Sequence, residues 1–92
     1  MKEFPKKIQI ASTALMQKVS GEMVILDTQN GQYYTLNHVA ADMLELMQQG
    51  LTTEQTVVEI CKQYDVSVNE ATEDLYEMIC TLSDKQLVQS TE

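Results

Sequence analysis

Ninety-two residues leave room for one domain with one core, which excludes a catalytic domain carrying a separate regulatory one. Apolar residues make up 43% and charged residues 22%, ordinary shares for a globular fold, and one Pro with three Gly gives no stretch that reads as a linker. A net charge of −8 and an isoelectric point near 4.4 set the surface against phosphate backbones and in favour of basic partners.

Residues 1–8 carry three lysines but no apolar stretch follows, so they do not read as a signal peptide. The longest apolar run, Met23-Val24-Ile25-Leu26, is far short of the roughly 20 residues a membrane span needs. The expectation is a cytoplasmic chain without a membrane partner, its two cysteines reduced. Cys61 and Cys80 stand on different predicted helices, and with His38 they fall short of the about four ligands of a zinc site. No metal and no cofactor are expected.

Ile8-Gln9-Ile10 is an apolar patch that reads equally as a short strand or an extended arm. The domain's core is expected over about residues 15–88 of a single unit spanning 1–92. A strand over residues 15–19 is followed by Ser20-Gly21, a pair that closes hairpins. A second strand covers 22–28, and Asn30-Gly31 then tolerates the positive φ of a type I′ turn. The third strand covers 32–36, with strand-favouring Tyr33, Tyr34 and Thr35. Asn37 caps a helix over 38–49 with Ala40, Met43, Leu44 and Met47 on one face, and Gly50 stops it. Thr52-x-x-Gln55 and Ser67-x-x-Glu70 fit capping boxes opening a second helix to about 64 and a third to about 86. Val57, Ile60, Cys61 and Tyr64 point inward on the second; Ala71, Leu75, Met78 and Leu82 form the core stripe of the third. The fold class is α+β and winged-helix-like, a three-stranded antiparallel sheet ahead of three helices.

Two features invite a binding function. The third strand is a sheet edge, and residues 32–36 carry none of the charges or prolines that usually blunt one. Such an edge is a template for a peptide added as a further strand. An alternative is that the chain covers this edge itself. The second feature is a band of Thr72, Tyr76, Ile79 and Ser83 beside the core stripe of the third helix, a groove wall or simply the rim of the core. Glu70, Glu73, Asp74, Glu77 and Asp84 occupy the rest of that helix, a solvated face that would also attract a basic peptide. Catalysis has little to stand on. His38 is the single histidine, in a helix's first turn, and no phosphate loop, HExxH or CxxC occurs.

The segment Asp27-Thr28-Gln29-Asn30-Gly31-Gln32-Tyr33-Tyr34-Thr35-Leu36-Asn37, then Gly50-Leu51-Thr52 and a closing Leu82, Leu87 and Val88, resembles the PqqD-like family of recognition elements for ribosomally made precursor peptides. The resemblance implies that a leader peptide adds as a strand beside the third strand, with the third helix as the other wall. It carries over as Gln32, Tyr33, Tyr34, Thr35 and Leu36 on the strand, and Thr72, Tyr76, Ile79 and Ser83 on the helix. Gly31-x-Tyr33-Tyr34-x-Leu36-Asn37 in a chain of this length is most similar to the leader-binding proteins of lasso-peptide clusters. These work with a separate leader peptidase and a macrolactam-forming cyclase, and are not enzymes themselves. The chain lacks the Trp that many relatives carry near Met43 or Leu44, and has Gln48-Gln49-Gly50 where the pyrroloquinoline-quinone member has Cys-Asp-Gly. The rival readings are a winged-helix DNA-binding domain and a dimerisation module. A reading helix with Lys85 as its one cation against five acids disfavours nucleic acid.

Overall fold

Residues 5–91 are described by the computed structural model. In chain order they form β1 (Ile8–Ile10), β2 (Ala14–Val19), β3 (Glu22–Asp27), β4 (Tyr33–Leu36), α1 (His38–Gln48), α2 (Thr53–Gln63), α3 (Val68–Asp84) and β5 (Val88–Ser90). Strands β2, β3 and β4 make the expected antiparallel meander, with β4 at its edge. The α+β class and the three helices follow the sequence reading closely.

The two hairpin turns differ from each other for a local reason. Ser20 and Gly21 both adopt positive φ, 54° and 84°, as a tight type I′ turn requires. At Asn30-Gly31 only Gly31 does, so the expected type I′ turn is absent. A longer loop replaces it: Gly31 N–H donates to the Asp27 carbonyl, and Asp27 N–H to the Gln32 carbonyl. The Asp27 carboxylate accepts from Gln29 N–H and the Asn30 side chain from Gln32 N–H, so two Asx turns satisfy the loop backbone.

Each helix opens as its capping residues dictate. Asn37 accepts from Ala40 N–H, and Thr52 with Gln55 and Ser67 with Glu70 form complete capping boxes. Helices α1 and α3 end alike. Gly50 (φ 104°) and Gln86 (φ 60°) take the left-handed position, and Leu51 and Leu87 N–H donate back to the Leu46 and Leu82 carbonyls. At α3 the non-glycine left-handed residue turns the chain abruptly, burying Leu87 and Val88 and starting β5.

β5 pairs antiparallel with β1, which settles Ile8-Gln9-Ile10 as a strand and adds a second, two-stranded sheet the sequence reading did not contain. Ile8 and Val88 join the same core as the helices, so that core reaches beyond residue 15 on the amino-terminal side. Leu44, Ile60, Leu75 and Ile25 are fully enclosed within it. Ala41, rather than Ala40, is the enclosed alanine of α1, and on α2 Thr53 and Thr56 are more deeply buried than Cys61 and Tyr64.

A polar hub fixes α1 against its neighbours. Lys18 of β2 lies 3.1 Å from carboxylate oxygens of both Asp42 and Glu45, and the Tyr64 hydroxyl donates to Asp42. Burial pushes the Asp42 carboxyl up, but the hydrogen bonds from Tyr64 and Lys18 outweigh it and leave the group below its usual range. A carboxylate depressed in the folded state stabilises the fold above its ordinary pKa and loses that contribution as pH falls through the folded value.

Candidate peptide-binding groove

The alternation of an antiparallel ladder decides what the β4 edge offers. Tyr34 pairs with Ile25 and Leu36 with Met23, flanking the non-bonded pairs Tyr33 with Leu26 and Thr35 with Val24. Donation from Asp27 N–H to the Gln32 carbonyl sets this phase. The backbone N–H and C=O of Tyr33 and Thr35 therefore point away from β3, toward the open edge. Among the described residues none bonds to them. Side chains alternate the other way: Tyr34 and Leu36 face the helices, half-buried, while Tyr33 and Thr35 are exposed.

Beside this edge runs a groove of about 350 Å³. Thr35, Leu36 and Asn37 form one side, Val39, Ala40 and Met43 of α1 the floor, and Asp74, Glu77, Met78, Thr81 and Leu82 of α3 the far wall. Lys85, just past the end of α3, sits with its Nζ 4.4 Å from the centroid of the Tyr34 ring, whereas Asp74 and Glu77, about two to three turns earlier in the helix, line the groove together with Leu36 and Asn37.

The structure brings Gln32, Tyr33, Tyr34, Thr35 and Leu36 together along the edge, with the Tyr34 hydroxyl donating to the Gln32 side chain. It does not bring Thr72, Tyr76, Ile79 or Ser83 to the groove. At about 100° per residue those four lie on one flank of the core stripe, and Asp74, Glu77, Thr81 and Lys85 on the opposite one. Thr72 lines a cleft with Thr53, Val57 and Val58 of α2. Tyr76 is 43% exposed and its hydroxyl bonds to Cys80, which raises its pKa. Ile79, at 3% exposure, belongs to the core.

Periodicity locates the stripe but not which flank faces β4. That depends on the direction in which the helix is laid across the sheet. One signal pointed the right way. A large aliphatic residue immediately beside the stripe, Ile79, marks a flank packed against another element, which leaves the flank of Thr81 open.

The remaining polar groups have structural positions. The His38 ring lies against the β2–β3 turn so closely that a Cβ at Gly21 would stand 2.7 Å from it. No group of three or more His, Cys, Asp or Glu with metal-binding geometry occurs among the described residues. None of the described helices is long and apolar enough to cross a membrane.

The PqqD family profile, described as coenzyme PQQ synthesis protein D, matches residues 22–88. No curated protein sequence matches the chain. Among solved structures, TbiB1 in complex with the TbiA(beta) leader peptide superposes with a TM-score of 0.82 at 26% identity, covering 91% of this chain and 98% of TbiB1. A lasso peptide synthetase B1 complexed with the leader peptide gives 0.83 at 19% identity, covering 90% of this chain and 98% of that one.

Proposed function

We propose, from the premise that the chain belongs to the PqqD family, that it is a non-catalytic recognition element acting in the cytoplasm: it takes up the leader of a ribosomally made precursor and presents it to processing enzymes. The observation that carries this is the β4 edge. Two residues, Tyr33 and Thr35, hold unpaired backbone donors and acceptors directly above a groove walled by α3. TbiB1 and the lasso peptide synthetase B1, which share the fold, are described in complex with leader peptides. A lasso-peptide precursor is accordingly the proposed source of the leader, with a leader peptidase and a cyclase as the enzymes served. A leader strand beside β4 would be held by main-chain hydrogen bonds, with its inward side chains resting on Leu36, Met43 and Met78. DNA binding has no comparable support, since the flank of α3 that faces the groove carries Asp74 and Glu77.

Two tryptophan variants test the assignment. Thr81→Trp fills the groove wall at an exposed position and is expected to weaken leader binding by about tenfold or more, with the fold intact. Ser83→Trp, also exposed but on the opposite flank, is expected to bind as the parent does. The measurement is fluorescence anisotropy with the labelled leader peptide of a lasso-peptide precursor, with a scrambled leader as control. If Ser83→Trp blocks binding and Thr81→Trp does not, the groove lies on the other side of α3.

A further inference from the structure

The groove is lined by the acids Asp74 and Glu77, while a cation, Lys85, stands over Tyr34, the β4 residue next to the lining. Lys18 and Lys62 are each within 3.2 Å of a carboxylate. Lys85 has no carboxylate partner among the described residues; its ammonium rests on the Tyr34 ring. A lysine on a ring face keeps its donors and flexible stem available, so it can hold a carboxylate without giving up the ring. About two to three helical turns before Lys85, Asp74 and Glu77 share the groove lining with Leu36 and repel an anion there.

Strand geometry turns this polarity into a register. Tyr34 and Leu36 project to the same face, two residues and roughly 7 Å apart, so an added strand presents alternate side chains opposite them. Added antiparallel, as all pairs in this sheet are, the strand reaches Leu36 first and Tyr34 two residues later.

We propose that Lys85, poised over Tyr34, is a specificity-determining residue that receives a carboxylate side chain of the bound peptide, so that charge fixes the peptide's register and direction. A slip of two residues would move that carboxylate against Glu77 and Asp74; a slip of one would throw it to the opposite face of the sheet. The inference rests on strand addition at β4 and adds to it a requirement on the leader: an acidic residue at the inward position opposite Tyr34.

The test uses a phage-displayed library of random 12-residue peptides, selected in parallel on the full chain and on Lys85→Glu. The parent is expected to enrich a peptide family with Asp or Glu at one position and depletion of acids two residues toward its amino terminus. Lys85→Glu is expected to remove that acid or replace it by Lys or Arg. Synthetic peptides from the family should then bind the parent roughly tenfold better with Glu than with Lys at that position, the order reversing on Lys85→Glu and the gap shrinking with salt. Enriched peptides without the acid, or with the same acid on both proteins, would overturn the role of Lys85 alone. A selection that yields no peptide family, or one whose binding survives Tyr33→Pro, would overturn strand addition and this inference with it.

Discussion

Replacing Leu75 by alanine is expected to destabilise the fold by about 2–5 kcal/mol, through lost apolar burial and the cavity left behind. Leu75 is at 0% exposure on the stripe of α3 that packs on the rest of the core, so few neighbours are free to collapse into the gap. Small domains are stable by only about 5–15 kcal/mol, so this loss removes a large part of the whole. Ile79→Ala is expected to behave the same way, because Ile79 is core and not groove wall. Tyr76→Ala, on an exposed site, should change stability little. Urea unfolding of the three variants, with leader affinity measured under conditions where each is folded, separates core from surface. Full stability in Leu75→Ala would contradict the packing of α3 described above.

The second large effect is on binding. Tyr33→Pro removes an N–H that points to the open edge and takes no part in pairing with β3. Proline is tolerated on an edge strand in that position. The fold should survive, while a leader carbonyl loses the main-chain donor it would accept from and the leader meets a ring where it must lie close. The expected cost is about 1–3 kcal/mol, roughly a five- to 150-fold rise in Kd. Tyr34→Pro, one residue on, removes a donor of the β3 ladder instead, so its damage should appear as lost stability. Tyr33→Ala controls for the side chain and should retain most of the affinity. If Tyr33→Pro binds as tightly as Tyr33→Ala, the edge is not where the leader pairs.

Local signals explain why so much of this architecture was legible in the sequence. Asn37, Thr52 and Ser67 each act within three residues of themselves, and the structure starts all three helices at these caps. The strands around Ser20-Gly21 and Asn30-Gly31 were likewise set by neighbouring turn residues, although Asp27 and Asn30 side chains built a longer second turn than the dipeptide implies. What escaped depends on distant parts of the chain. β5 is three residues long, and its partner β1 lies at the far end of the chain, with Ile8 opposite Ser90. The groove wall escaped for a related reason. Asp74 and Glu77 look like solvated residues in sequence, and only the direction of α3 across β4 makes them the side of a groove. The edge itself was readable, since nothing between Gln32 and Leu36 blunts it.

Amide hydrogen exchange, followed residue by residue by NMR with and without the leader, tests strand addition at β4 most directly. In the free protein Tyr33 and Thr35 N–H are expected to exchange quickly, being exposed and unpaired, while Tyr34 and Leu36 are protected by the β3 ladder. Saturating leader should slow Tyr33 and Thr35 selectively, the pattern of a new strand bonded at alternate residues. Fast exchange at both in the complex, with protection appearing on another surface, would contradict the account.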